Sequence, residues 1–356
     1  MRSFASDNNS GVHPKVLEAL QQANNGHAIG YGDDPWTEEA LRLFKQTFGP
    51  ASESFVVFNG TGANIAALQL TTKPFNSIIS SDTAHILVDE CGAPVKSTGC
   101  PIFSIPTPDG KLTPEMIKAK LHGFGDQHHS QPGVIYISQC TELGTVYTQE
   151  EIREITALAH QYGLYVHMDG ARLANAAAAL NCSLRALTTD CGVDILSFGG
   201  TKNGLMMGES VVILNPELSK NARFIRKQSA QLASKMRYLS VQFSTYLQDD
   251  FWLTNAAHAN EMAKLLYHEL SKHPQVRFTQ KPDTNALFLT LPRPVIDELL
   301  KRWFFYFWNE TNNEIRLVCS FDTTKDDVIA FLTDLDKAFI NYLLLKNYYC
   351  LFAVLV

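Results

Sequence analysis

The sequence has no excess of basic charge and no cysteine pair with C-x-x-C spacing. Its 356 residues include 30 Lys+Arg and 36 Asp+Glu, which gives a formal net charge of -6. Because nucleic acids and anionic membranes attract basic surfaces, this balance argues against either as a partner. The 7 cysteines are an odd number without zinc-ribbon spacing, so neither a disulfide framework nor a metal site is predicted.

The N-terminal end of the sequence lacks an apolar core. Residues 1–16 read MRSFASDNNSGVHPKV, without the apolar stretch of a signal peptide, so we expect a cytoplasmic protein. The other end is strongly apolar, because residues 339–356 read FINYLLLKNYYCLFAVLV. As a membrane span this tail is short and is interrupted by Asn341, Lys346 and Asn347. Two interpretations stay open: a tail that packs on a partner subunit, or a translated segment foreign to the fold.

Short apolar runs alternate with helical patterns through the middle of the chain. Strands are predicted at 55–58, 134–138, 164–168, 193–198 and 211–214, and helices at 63–70, 149–162 and 171–180. Strands that are buried on both faces and alternate with helices are typical of a mostly parallel sheet sandwiched by helices. The sequence therefore predicts a large α/β domain.

After about residue 250 the pattern changes to a smaller α+β arrangement. Helices are predicted at 251–273, 295–302 and 325–338, and strands near 276–279, 286–291 and 315–320. We therefore predict a large domain at 16–250, a small domain at 251–338 and an atypical tail at 339–356. Residues 1–15 are predicted to pack on the small domain or on a partner subunit.

Three polar segments follow predicted strands of the large domain. Gly60-Thr61-Gly62 opens a helix, Asp169 ends a strand, and Lys202 lies in the turn GGTKNG after the next strand. Each has an ordinary structural interpretation when taken alone: a glycine turn capped by Thr61, a helix-capping aspartate and a solvated turn lysine. In open α/β sheets, however, ligands bind beyond the carboxyl ends of the strands.

Together the three segments supply what pyridoxal phosphate needs. The cofactor requires an amine to hold its aldehyde, an acid beside its pyridine nitrogen and a cup for its phosphate. Lys202 would be the amine, Asp169 the acid, and Gly60, Thr61 and Gly62 the cup. A dinucleotide fingerprint is excluded because the third glycine is missing, and a P-loop because no Gly-Lys-Ser/Thr follows.

With these motifs the chain resembles the L-threonine aldolases, which share an aspartate-aminotransferase-like fold with the β-eliminating lyases. The segments that carry the resemblance are YGDDPWTEEALRLF, FNGTGANIAAL, AHILVDECGAP, CTELGTVYT, HMDGARLANA, SFGGTKNG and IRLVCSFDTT. The resemblance covers about residues 4–338. It implies a pyridoxal-phosphate enzyme that cleaves L-threonine or L-allo-threonine to glycine and acetaldehyde. It also implies a homotetramer, a dimer of dimers whose active sites are shared between subunits.

The resemblance further implies roles for individual residues. His85 would stack on the cofactor ring, and Arg172 would lie near the ring oxygen and the substrate carboxylate. Arg316 and Ser6 would bind that carboxylate, and Tyr31 would line the site from the partner subunit.

The base for the substrate hydroxyl is the least defined part of this prediction. The resemblance places a second active-site histidine before the strand at 134–138, where His122, His128 and His129 are available, and counting along the chain favours His129. Either His85 or His129 would then act as the base, through water. Lys235 and Arg237 are further basic candidates near the phosphate, with an exposed helix surface as the equal alternative.

Other functions on the same motifs stay open. β-Elimination or transamination would use the same fold and cofactor, and a catalytically silent relative would act as a scaffold. Two departures, Thr-Lys-Asn in place of Ser-Lys-Gly and Gln139-Cys140-Thr141 in place of Glu-Asn-Thr, mark a subfamily variant.

Overall fold

The structure, a computed structural model, describes residues 2–353 and divides them into two compact units. The first unit comprises Gly11–Ala256, and the second joins the N-terminal residues up to Ser10 to the chain from Ala257 onward. These boundaries lie beside those predicted at residues 15 and 250. Within residues 2–353, every helix falls short of the length or the apolar character needed to cross a bilayer.

The first unit contains a seven-stranded sheet in the order β1-β7-β6-β5-β4-β2-β3. The strands are β1 (Glu53–Val57), β2 (Asn76–Ser81), β3 (Ile102–Ile105), β4 (Gln131–Ser138), β5 (Tyr165–Gly170), β6 (Ile195–Gly199) and β7 (Glu209–Ile213). All neighbours pair in parallel except β7, which is antiparallel to both β1 and β6. The prediction of an α/β fold with a mostly parallel sheet is confirmed.

The helices of the first unit cover both faces of this sheet. They are α1 (Pro14–Ala23), α2 (Pro35–Phe48), α3 (Gly60–Thr71), α4 (His85–Val88), α5 (Ala93–Thr98), α6 (Pro114–Lys118), α7 (Gln149–Gln161), α8 (Leu173–Leu180), α9 (Ala222–Gln228) and α10 (Arg237–Leu247). Consecutive residues of a strand belong to different hydrophobic clusters, as Val56 and Val57 of β1 do. Because side chains alternate between the two faces of a sheet, apolar residues from helices must pack against each face.

The carboxyl ends of the parallel strands determine where the site lies. In the β4–β5–β6 register, Asp169 pairs with Ser138 on one side and Ser197 on the other. The turn that carries Lys202 follows β6 directly, as a short 3-10 helix at Thr201–Asn203. The sheet therefore brings residues from separate stretches of sequence to one edge.

The second unit contains a four-stranded antiparallel sheet in the order β10-β11-β9-β8. Its strands are β8 (Arg277–Phe278), β9 (Ala286–Thr290), β10 (Tyr306–Asn309) and β11 (Glu314–Val318). Its helices are α12 (Arg293–Leu299) and α13 (Lys325–Ala353). Helix α11 (Phe251–Leu270) contains the boundary between the two units, at Ala256. Phe4 lies buried in this unit against the rings of Trp303 and Phe331. The amide of Phe4 donates to Phe304 and its carbonyl accepts from Val318, each at 2.8 Å.

The last helix is longer than the sequence pattern predicts. A helix was expected at 325–338, but α13 continues to Ala353. The segment contains neither glycine nor proline, the residues that most strongly end helices, so helical structure continues into the apolar tail. The last three residues of the predicted tail, 354–356, lie outside the described residues.

Candidate active site

A buried carboxylate, Asp169, lies at the centre of the candidate site. Its Oδ2 accepts hydrogen bonds from the Tyr136 hydroxyl at 2.6 Å and from Asn64 Nδ2 at 3.0 Å. Its Oδ1 accepts from the amide of Ala171 at 2.9 Å. Three donors around one carboxylate favour its ionised form.

The electrostatic surroundings keep Asp169 negative. Burial alone would raise the pKa of this carboxyl, but the hydrogen bonds from Tyr136 and Asn64 and the nearby charges of Lys202 and His85 hold the pKa below its ordinary value. Asp169 is therefore an ionised aspartate in a protected position, which is what a partner for a protonated ring nitrogen requires.

Lys202 lies in a turn whose backbone is anchored from both sides. The side chain of the next residue, Asn203, donates to the Tyr246 hydroxyl at 2.8 Å and to the Trp252 carbonyl at 2.9 Å. The Asn203 carbonyl accepts from Asn255 Nδ2 at 2.9 Å. These contacts fix the turn that presents Lys202, whose charge interacts with the carboxylate of Asp169. The Lys202 position therefore differs from that of a freely solvated turn lysine.

His85 is connected to Asp169 through a buried glutamate that the sequence analysis did not identify. Nδ1 of His85 lies 2.8 Å from Oε1 of Glu90, and the same oxygen accepts from Asn64 Nδ2 at 2.8 Å. Asn64 also donates to Asp169, so one amide joins the two carboxylates. The hydrogen bond with Glu90 raises the pKa of His85.

The predicted phosphate cup lies at the beginning of α3. Asn59, not Thr61, caps this helix, because its side chain accepts from the amide of Gly62 at 2.8 Å. The first-turn amides of a helix have no partner within it, so they are available to an anion. A Cβ on Gly60 would meet open space, whereas one on Gly62 would lie 2.4 Å from the side chain of Gln231. The cup therefore has room on the Gly60 side.

Glu142 is a further carboxyl of the site that sequence reasoning missed. Its Oε1 accepts from the backbone amide of His85 at 2.9 Å and from the Ser138 hydroxyl at 2.7 Å. Burial raises the pKa of Glu142, and the neighbouring Asp169 raises it further. The segment CTELGTVYT was identified in the sequence, but only the sheet shows that its glutamate faces His85.

Glu209, at the start of β7, is another buried carboxyl of the site. Its Oε2 accepts from the amide of Gly200 at 3.1 Å, and burial raises the pKa of Glu209 to about 7. The hydroxyl of Thr201 and the charge of Lys202 partly offset this effect by lowering the pKa of Glu209. Because β7 is antiparallel, the beginning of this strand lies at the edge where β6 ends. A sequence prediction that treats every strand as parallel would miss this carboxyl.

Ser6 and Arg316 lie in the second unit. Nη2 of Arg316 donates to the carbonyl of Ala5 at 3.3 Å, and its guanidinium lies over the ring of Trp308 at 5.4 Å. Ser6 caps the short 3-10 helix that follows it by accepting from the amide of Asn8 at 3.2 Å. The unit therefore holds Ser6 and Arg316 close to the same backbone segment.

The three remaining predicted site residues are Arg172, Tyr31 and His129, and each lies in a different local environment. Arg172 is the residue before α8, and its carbonyl accepts from the amide of Asn175 at 3.0 Å. Tyr31 has a left-handed backbone with φ 65, and its ring is 54% exposed. His129 contacts its own loop, where Nε2 lies 3.4 Å from a carboxylate oxygen of Asp126. The catalytic role of His129 stays a prediction.

Comparisons with known proteins identify the family of the chain. The chain matches the family described as beta-eliminating lyase over residues 3–293. It is 42% identical over 336 residues to the low specificity L-threonine aldolase of Pseudomonas aeruginosa, covering 94% of this chain and 97% of that protein. A second relative of the same name, from a Pseudomonas species, is 40% identical over the same shares of the two chains.

A solved structure matches as well. The Leishmania major threonine aldolase superposes with a TM-score of 0.90 at 32% identity, covering 95% of this chain and 99% of that one. A putative L-allo-threonine aldolase of Listeria monocytogenes, at 17% identity and a TM-score of 0.74, shares the fold. The chain therefore belongs to the beta-eliminating lyase family and groups there with the low specificity L-threonine aldolases.

Proposed function

We propose that this protein is a pyridoxal-phosphate enzyme that cleaves L-threonine and L-allo-threonine between Cα and Cβ, giving glycine and acetaldehyde. The observation that supports this most strongly is the buried carboxylate of Asp169, which accepts three hydrogen bonds and lies near enough to Lys202 for the charge of the lysine to lower its pKa. The relatives named low specificity L-threonine aldolase, at 42% and 40% identity, support the choice of reaction.

The residues around Asp169 fit pyridoxal phosphate. Lys202 would hold the cofactor's aldehyde carbon, Asp169 its ring nitrogen and the segment Gly60-Thr61-Gly62 its phosphate. The open space beside Gly60 and the carboxylate held ionised at the strand end both suit these tasks. When bound, the cofactor supplies an acceptor for the electron pair of the broken Cα–Cβ bond.

The protein's own contribution to the reaction is orientation and charge. His85, fixed by Glu90, would lie against the cofactor ring and exclude water from that side. Arg172, Ser6 and Arg316 would hold the substrate carboxylate, because a guanidinium binds a carboxylate through two parallel hydrogen bonds. Holding the carboxylate fixes which bond at Cα stands perpendicular to the ring, and such alignment contributes effective molarities of ~10⁵ M or more.

The proposal is tested by identifying products. The purified protein with pyridoxal phosphate is incubated with L-threonine, L-allo-threonine and L-serine, and glycine, acetaldehyde, 2-oxobutyrate and pyruvate are measured. Glycine with equimolar acetaldehyde supports cleavage. Oxo acids would show β-elimination or transamination instead, and no product together with no cofactor absorption band would indicate a scaffold. Lys202→Ala is the control variant and should lose the borohydride-reducible band.

We further propose a homotetrameric assembly in the cytoplasm, with active sites shared between subunits. The exposed ring of Tyr31 supports a surface that a second subunit would cover, and Nζ of Lys227 lies 5.5 Å from that ring. Light scattering coupled to size exclusion measures the assembly, and Tyr31→Ala tests the shared site through the KM for threonine.

A further inference from the structure

The proposed cleavage needs a group that accepts the proton of the substrate's β-hydroxyl. Glu142 lies beyond the carboxyl end of β4. Its carboxyl accepts from Ser138, the last residue of β4, and Ser138 pairs in register with Asp169 of β5. Glu142 and Asp169 are close enough for the charge of Asp169 to raise the pKa of Glu142. The glutamate therefore belongs to the same edge of the sheet.

The two oxygens of the Glu142 carboxyl differ. Oε1 accepts both of its hydrogen bonds, from His85 and Ser138. Oε2 is buried and receives no hydrogen bond from any residue that the structure describes. A buried carboxylate oxygen without a donor is unfavourable, and native proteins rarely leave one unmatched. A substrate hydroxyl is a donor of the kind that this oxygen lacks.

The two histidines considered from the sequence are less suited to this task. The hydrogen bond of Nδ1 with Glu90 raises the pKa of His85, so its Nε2 is free to accept a proton only at a higher pH than in an ordinary histidine. The ring of His129 is more than half exposed and faces Asp126 in its own loop. A buried carboxylate, by contrast, is a stronger base than an exposed one, because burial raises the pKa of Glu142.

We propose that Oε2 of Glu142 is the acceptor of the substrate's β-hydroxyl proton, a role that rests on the cleavage proposed above. The hydroxyl O–H bond breaks and its proton passes to Oε2. The electron pair left on oxygen forms the second bond of the aldehyde as the Cα–Cβ bond breaks. The cofactor, which Lys202 and Asp169 would hold, would supply the acceptor for the electron pair of that bond, and uptake of a proton from solvent at Cα would give glycine.

The decisive variant is Glu142→Gln. An amide oxygen still accepts from the His85 amide and the Ser138 hydroxyl, so the local structure is retained while the base is removed. Glu150→Gln, on the exposed first turn of α7, is the matched control and should behave as the wild type. Two reactions are compared in the holoenzyme: cleavage of L-threonine, and exchange of the glycine Cα hydrogen in D2O followed by NMR. Exchange uses the cofactor but involves no β-hydroxyl.

Loss of a general base costs about 10²- to 10⁴-fold in rate, so Glu142→Gln should lose at least about 100-fold in cleavage while glycine exchange stays within about threefold of the wild type. The acidic limb of kcat/KM for cleavage should also disappear in the variant. Equal loss of both reactions would overturn the proposal, since Glu142 would then only support the site. Retained cleavage would overturn it as well. If the wild-type protein itself exchanges glycine but releases no acetaldehyde, the proposed function fails instead.

A second measurement does not depend on activity. The titratable groups around Glu142 are Asp169, His85, Tyr136 and Tyr147. Because its folded-state pKa is raised, Glu142 contributes stability at low pH that is lost as the pH rises through that pKa. The Tm of full-length Glu142→Gln without cofactor should therefore rise relative to the wild type as the pH increases above 4.5, the ordinary pKa of a glutamate. A Tm difference that does not change with pH would contradict a desolvated base.

Discussion

Replacing Asp169 by asparagine removes one negative charge while preserving the shape of the side chain. In the wild-type protein this carboxylate accepts from Tyr136, Asn64 and Ala171. An asparagine can keep the bond from the Ala171 amide through its oxygen. Its NH2 group, however, is a donor placed against the donors of Tyr136 and Asn64. The substitution therefore tests the charge and the hydrogen-bond pattern together.

The expected loss of activity follows from the burial of Asp169, whose proposed partner is the protonated ring nitrogen of the bound cofactor. Breaking a buried ion pair by removing one partner costs about 3–5 kcal/mol, and Asp169 is too deeply buried for solvent to screen that interaction. Since each 1.36 kcal/mol changes a rate tenfold, kcat/KM for threonine should fall by about 200- to 5,000-fold. The cofactor band should shift as well, because the ring nitrogen would lose the anion that keeps it protonated.

Steady-state cleavage of L-threonine and absorption spectra of the holoenzyme measure this effect. Asp190→Asn is the control, because Asp190 forms an exposed ion pair with Arg185 at 2.9 Å and such pairs contribute little. The pKa of Asp169 is depressed in the folded protein, so its contribution to stability is present above about pH 4 and is lost as the pH falls through the folded-state pKa. Cleavage by Asp169→Asn within fivefold of wild type, with an unchanged spectrum, would refute the assignment of Asp169.

Three further predictions use other parts of the structure. Gly62→Ala places a Cβ 2.4 Å from the side chain of Gln231, so this flexible side chain must move. The Kd for pyridoxal phosphate should rise about fivefold, which corresponds to one disturbed hydrogen bond of about 1 kcal/mol, and an unchanged Kd in a fluorescence titration would contradict this. Burial lowers the pKa of His167 to about 4, so the free energy of unfolding should fall by about 3 kcal/mol as the pH falls from about 6.5 to about 4. His167→Asn should lack that dependence in urea titrations, and a variant that keeps it would show that His167 is not its source. Arg316→Lys should raise the KM for threonine about 10- to 150-fold with the cofactor spectrum unchanged, and an unchanged KM would remove Arg316 from the substrate site.

Sequence patterns predicted the strands that build the site better than the contacts within it. The runs at 134–138, 164–168 and 193–198 correspond to β4, β5 and β6, since continuous apolar residues are what a strand covered on both faces requires. β2 was not predicted, because its sequence NSIISS is rich in serine, yet it lies between β3 and β4. Local propensity describes a residue's own preferences and carries no information about which strand will lie beside it.

The hydrogen-bond partners of Asp169 show the same limit. Tyr136 and Asn64 both lie in correctly predicted elements, but their sequence positions, 33 and 105 residues from Asp169, do not indicate that they meet. Their meeting requires β4 to be the neighbour of β5 and α3 to cross that edge. Glu209 is a stronger example, because the antiparallel direction of β7 brings the beginning of a strand to an edge where the other strands end.

Three of the carboxyls near this edge, those of Asp169, Glu142 and Glu209, have different proton affinities because they accept different numbers of hydrogen bonds. Asp169 accepts from three groups and has a lowered pKa, whereas Glu142 and Glu209 each lack such compensation for their burial and have raised pKa values. An ionised acid is suited to hold a cation in place, and a carboxyl that takes up a proton more readily is suited to move one. The division of roles therefore arises from unequal solvation of chemically similar groups. It follows that adding a donor to Oε2 of Glu142 would lower its pKa and weaken it as a base, even though no catalytic residue would have been replaced.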